Sequence, residues 1–133
     1  MTKRLRITFR ILLALYLLAL VVLCFGHFKS NPNIPKELFG LPMDKVVHFC
    51  MFLPFPLLVF FAVDKYTVKL WHSIVFAVGV FLVGCILAAA TELGQGLTSW
   101  RSADPMDFRA DAIALAISSL AVFIIDISKQ KKK

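Results

Sequence analysis

The chain has 133 residues, 59% hydrophobic and only 17% charged, with a formal net charge of +7 and a mean hydropathy of +0.81. Soluble domains carry about 25% charged residues, so this composition excludes an ordinary water-soluble core and makes lipid the solvent. The basic excess does not describe a nucleic-acid binder, because the lysines and arginines flank apolar runs and no groove-reading or base-stacking motif accompanies them.

Crossing roughly 30 Å of hydrocarbon takes about 20 apolar residues in a helix, and four such runs can be drawn. The expected spans are 7–25, 46–63, 70–92 and 108–127. Helices satisfy their own backbone groups in lipid, whereas an open strand edge does not, so the expected fold is all-α. It would be one four-helix transmembrane bundle over residues 1–133. Ten basic residues (Lys3, Arg4, Arg6, Arg10, Lys65, Lys69, Lys129, Lys131, Lys132 and Lys133) flank one side, against five (Lys29, Lys36, Lys45, Arg101 and Arg109) on the other. The positive-inside rule then places both termini in the cytoplasm.

The first run has the basic start of a secretory signal but is longer than a signal core of about 7 to 15 residues and lacks a small-x-small cleavage site, so it reads as an anchor helix. Cys24, Cys50 and Cys85 have no Cys or His partner at zinc-site spacing and read as apolar thiols. A Cys24–Cys50 disulfide stays open, the two lying at similar depth. The loop from His27 to Met43 is punctuated by Pro32, Pro35, Gly40 and Pro42, with Pro35 to Phe39 expected as one helical turn. Leu38, Phe39 and Leu41 would then rest on the headgroup region or cover nearby polar residues.

In the second helix Asp44 and His48 are four apart and share a face, with Lys45 expected to turn aside. Asp44 also suits a helix N-terminus. His48 lies a turn inside the apolar run, where an imidazole can change protonation near neutral pH or serve as a hydrogen-bonded packing residue. Pro54 and Pro56 remove two backbone donors and predict a bend. In the third helix Cys85, Ala89, Glu92 and Gly96 predict a small-residue stripe that turns Glu92 toward protein. Gln95 adjoins it as a ligand contact or a tether for Glu92, and Gly94 and Gly96 end the helix.

Trp100 then suits the membrane interface, and Asp104, Pro105 and Asp107 mark the start of the fourth helix. Asp107, Asp111, Ala114 and Ser118 share one face, with Arg101 and Arg109 available as counter-ions. An ionisable group near a helix centre in lipid costs roughly 2.5 to 3.5 kcal/mol. Three such clusters on one membrane face therefore predict one site: Asp44, Lys45, His48, Glu92, Gln95, Arg101, Asp104, Asp107 and Asp111 as ligand-binding residues. His48, Glu92 and Asp107 are the candidates for any catalysis, and a Glu92–Arg101 ion pair that merely clamps the helices is the competing account. The sequence calls for no cofactor and shows no metal-binding motif.

Asp44-Lys45-x-x-His48-Phe49, Glu92-x-x-Gln95 and Arg101-x-x-Asp104-x-x-Asp107 resemble, in order and spacing, the VanZ-like family of small polytopic bacterial membrane proteins. The resemblance spans about residues 44–118. It departs in the fourth helix, where Asp111 replaces the family's Asn and Ala114 and Ser118 stand where glycines are usual. The resemblance implies a multi-pass protein of the bacterial cytoplasmic membrane, in a family whose naming member is associated with reduced susceptibility to teicoplanin, a lipid-tailed glycopeptide. Beside membrane lipids, the implied partner is a lipid-linked cell-wall precursor, headgroup or glycopeptide. Two function classes follow. One is a non-enzymatic envelope protein that binds such a molecule, with Arg101 and Lys45 on anionic groups and Glu92, Gln95 and Asp107 on hydroxyls. The other is a membrane-embedded enzyme with Glu92 or Asp107 as base, His48 as acid or metal ligand, and Arg101 on developing charge. A transport or purely structural role is a further alternative, and the oligomeric state is not legible.

Overall fold

The computed structural model describes residues 1–27, 35–63 and 69–130. Lys29, Pro32, Lys65, Thr67 and the terminal lysines Lys131, Lys132 and Lys133 lie outside the described residues. Helix α1 runs Lys3–Phe25, strands β1 and β2 are Glu37–Leu38 and Leu41–Pro42, and helices α2 and α3 are Met43–Phe52 and Phe55–Val63. Helices α4 and α5 span Leu70–Gly96 and Pro105–Gln130. The α2–α3 pair counts as one apolar stretch, Met43–Val63, so four helices are long and apolar enough to cross a membrane. The observed helices extend past the expected ends by three or four residues, and α1 begins at Lys3, where the Thr2 side chain accepts from Leu5 N–H.

Pro54 and Pro56 break the second span as their missing donors require. Without those N–H groups the carbonyls of Cys50 and Phe52 lose their helical partners, and the helix stops at Phe52 and restarts at Phe55. The Tyr16 hydroxyl donates to the Met51 carbonyl at 2.6 Å, so α1 satisfies one of the groups near the break. Phe55 and Pro56 are buried in the bend.

The expected helical turn over Pro35 to Phe39 is not formed. Glu37 pairs with Pro42 and Leu38 with Leu41 in a two-residue antiparallel hairpin, whose turn residues Phe39 and Gly40 both take positive φ, 53° and 77°. Positive φ at both central positions matches the right-handed strand twist, and glycine supplies one of them freely. Leu38, Phe39 and Leu41 are exposed.

Helix α5 packs along α4 and α2 and also meets α3, while α1 rests mainly on α3. Accordingly α1 buries only Leu20 and Cys24 and presents Leu12, Leu15, Leu18 and Val22 outward. The buried stripe of α4 is Ser73, Ala77, Val80, Gly84, Ala88, Thr91, Glu92 and Gln95. Glu92 is buried as the expected stripe requires, while Gly84 and Ala88 lie deeper than the partly buried Cys85 and Ala89. A Cβ on Gly84 would lie 2.5 Å from Leu115 Cδ2, which identifies the close approach of α4 and α5. At the end remote from the polar clusters, Ser73 donates to Asp126 at 2.8 Å and Gln130 to Ser73 at 2.6 Å, clamping the same two helices. The expected α5 face of Asp107, Asp111, Ala114 and Ser118 is buried throughout.

Candidate functional site

The polar clusters meet where α2, α4 and α5 begin or end. Asp104 precedes Pro105, the first residue of α5, and its Oδ1 accepts from Met106 N–H at 2.9 Å. This cap combines a proline whose missing N–H costs nothing with an aspartate that satisfies an orphan donor. Asp44 lies in the first turn of α2 but makes no such cap, the residue before that helix being Pro42.

Lys45 does not turn aside. Its ammonium reaches Asp44 at 3.0 Å, Asp104 at 2.5 Å and Asp107 Oδ1 at 2.6 Å, tying the start of α2 to the start of α5. Neighbouring carboxylates attract the flexible four-carbon stem across the helix gap, which a helical wheel does not register. The Lys45 hydrogen bond holds the Asp104 carboxyl below the ordinary carboxylate range, with the Met106 N–H adding to the effect.

Behind this lysine sits His48, buried among three carboxylates. Its Nδ1 lies 3.2 Å from Asp111 Oδ1 and 3.7 Å from Glu92 Oε1, and its Nε2 lies 3.5 Å from Asp107 Oδ2. Asp111 is wholly buried. Glu92 Oε2 accepts from the Asp104 backbone N–H at 3.0 Å, whereas its buried Oε1 has no hydrogen-bond partner among the described residues.

Two expectations are corrected here. Arg101 is not the partner of Glu92, since its Nη1 donates to the Cys24 carbonyl at 3.2 Å. Gln95 is not a tether for Glu92, although it stands at the wall of the adjoining cavity. Its amide is buried and donates to the same Cys24 carbonyl at 3.0 Å, joining the end of α4 to the end of α1. A helix terminus leaves carbonyls unpaired, and two donors from across the fold converge on this one. Among the described residues Arg109 donates to the Met106 sulfur, at 3.7 Å. Cys24, Cys50 and Cys85 are free thiols, so the Cys24–Cys50 disulfide is not formed.

A cavity of about 530 Å³ opens beside these groups. Asp44, His48, Gln95, Arg101, Asp104 and Asp107 line it on the polar side, and Leu23, Met43, Val47, Met51 and Trp100 on the apolar side. Neither Leu38, Phe39 nor Leu41 contributes to it. Trp100 stacks on His27 with ring centroids 5.2 Å apart. Against the cavity lies an apolar groove of about 380 Å³ between α1 and α2, lined by residues that include Tyr16, Leu20, Val46 and Cys50, and sharing Leu23, Val47 and Met51 with the cavity. These apolar walls are not among the site residues expected from the sequence, Trp100 being singled out there for the membrane interface. Met43, Val47 and Met51 recur every fourth residue and carried a signal, but Leu23 is supplied by another helix.

Five carboxylates thus gather around one lysine and one imidazole, with Arg101 at the cavity wall. Such a site accepts hydroxyls, amines and cations readily, and Lys45 is already saturated by its own aspartates. Among the described residues, two sets of three bring ligand atoms within 4.8 Å of one another: His48, Glu92 and Asp107, and Asp44, Asp104 and Asp107. Comparison with known proteins finds no matching family model, no matching curated protein and no matching solved structure.

Proposed function

We propose that this chain is a VanZ-like envelope protein of the bacterial cytoplasmic membrane that binds an amphiphile with a hydroxyl-rich headgroup, a class that includes lipid-linked cell-wall precursors and lipid-tailed glycopeptides. Its four spans form a bundle with both termini cytoplasmic and the polar cavity outward. The observation that carries the reading is that a carboxylate-lined cavity adjoins an apolar groove, the two sharing Leu23, Val47 and Met51 as lining. A molecule with a polar head and a hydrocarbon tail fits both at once: the head replaces water against Asp44, Asp104 and Asp107, and the tail fills the groove between α1 and α2. The order and spacing of the three polar elements support the family assignment.

Acid/base chemistry on the bound headgroup is a second reading, favoured by one observation. Asp111 holds one nitrogen of His48 while the other faces Asp107 at the cavity wall, the arrangement of an oriented imidazole beside a carboxylate.

Val47 is half-exposed and shared by cavity and groove, so Val47→Trp obstructs their junction without touching the polar network. Binding of a polyprenyl-diphosphate disaccharide-peptide and of teicoplanin to detergent-solubilised protein is measured by native mass spectrometry. The expected result is at least about tenfold weaker binding by the variant, equivalent to roughly 1.4 kcal/mol, with an unchanged melting temperature. Equal binding by both proteins, or equal binding of the bare polyprenyl phosphate, overturns the reading.

A further inference from the structure

We propose that His48, Glu92 and Asp107 form a site for a divalent first-row transition ion, Zn2+ or Mn2+, at the wall of the outer cavity. Each supplies one ligand atom within 4.8 Å of the other two. Bonds of about 2.0 to 2.2 Å place neighbouring donors within about 4 Å, so the three side chains close by up to about 1 Å around the ion. The inference does not rest on amphiphile binding, and the ion is measured with no lipid ligand added.

The independent observation is Glu92 Oε1. The residue is more than nine-tenths buried, and this oxygen has no hydrogen-bond partner among the described residues. It stands 3.7 Å from His48 Nδ1, beyond hydrogen-bonding reach. A buried acceptor left in this state is costly, and a cation between Glu92, His48 and Asp107 satisfies it.

The surrounding contacts are those such an ion needs. The wholly buried Asp111 engages His48 Nδ1 at 3.2 Å, which orients the imidazole and leaves Nε2 for the ion, as outer carboxylates do for metal-binding histidines. Asp107 divides its oxygens: Oδ1 accepts from Lys45 at 2.6 Å, and Oδ2 faces His48 Nε2 at 3.5 Å. The other acidic set, Asp44, Asp104 and Asp107, already contains a cation, the Lys45 ammonium, within 3.0 Å of all three. The unneutralised charge is therefore on the histidine side.

One imidazole and two carboxylates without a thiolate suit Zn2+ or Mn2+ better than Cu+, and better than Mg2+, which prefers oxygen donors and retains its water. His48 and Asp107 line the cavity, so the remaining coordination positions face water or a cavity ligand. An ion there would also give an anionic headgroup a cationic contact that the saturated Lys45 does not offer.

The test uses the full chain in detergent, stripped with chelator and titrated with Zn2+ by calorimetry and with Mn2+ by electron paramagnetic resonance. One equivalent is expected to bind, at least about tenfold more weakly in Glu92→Gln, with Asp44→Asn close to wild type. Pulsed hyperfine spectroscopy of the wild-type Mn2+ complex is expected to detect one directly bonded nitrogen, a readout that needs no variant to fold. Four outcomes overturn the proposal: no saturable binding of either ion below about 1 mM, equal or tighter binding of Mg2+, a complex without nitrogen, or loss on Asp44→Asn but not on Glu92→Gln.

Discussion

Replacing Lys45 by methionine preserves the stem and removes the charge that joins α2 to α5. The three contacts are unequal. Asp107 has a side chain only 12% exposed against 57% for Asp44, so its link to Lys45 is worth about 1.5 to 2 kcal/mol as a charge-assisted hydrogen bond. The solvent-screened Asp44 link is worth under about 0.5 kcal/mol. With Asp104 and Asp107 then left facing each other, Lys45→Met is expected to destabilise the fold by about 2 to 3 kcal/mol. Equilibrium unfolding in mixed micelles reads this directly, and double-mutant cycles apportion it: coupling with Asp107→Asn of about 1.5 kcal/mol, and with Asp44→Asn near zero. Equal coupling to the two aspartates, or a single variant within about 0.5 kcal/mol of wild type, refutes the assignment of Lys45 as the interhelical tie.

Gln95→Ala is expected to lower stability by about 1 to 2 kcal/mol, because it deletes a buried donor to the Cys24 carbonyl; an unchanged melting temperature would return Gln95 to the role of a free ligand contact. Gly84→Ala is expected to cost about 1 to 3 kcal/mol against the fully buried Leu115. Gly79→Ala, where nothing lies within 4 Å of the added methyl, should be neutral or stabilising in the same melts. The depressed pKa of Asp104 means its tie to Lys45 contributes above the ordinary carboxylate pKa and fades as pH falls through the lower folded value. The stability gap between wild type and Asp104→Asn should accordingly be constant near neutrality and close below about pH 4, as followed by acid titration of the melting temperature. With Cys24, Cys50 and Cys85 replaced, Ser99→Cys should react with an impermeant thiol reagent in intact cells and Thr67→Cys should not; equal labelling would reject the proposed orientation.

The run of apolar residues along the chain determined the helical class and the number of spans, because lipid leaves a backbone few ways to satisfy its own donors and acceptors. The break at Pro54 and Pro56 was equally legible, the missing donors being written in the residues. So was the buried α5 face of Asp107, Asp111, Ala114 and Ser118, which follows from helical period alone. Which small residues of α4 lie deepest was not, since Cys85 and Ala89 are as small and apolar as Ala88 and differ from it only in which face α5 covers. Nor were the partners of the polar groups. A sequence places charges on a helix face, but which acceptor a four-carbon lysine reaches, or which orphan carbonyl Gln95 and Arg101 find on α1, depends on distances between helices far apart in the chain. Tertiary packing decided that Lys45 is the tie, that Gln95 reaches the Cys24 carbonyl, and that one oxygen of Glu92 is buried beside His48 without a donor among the described residues.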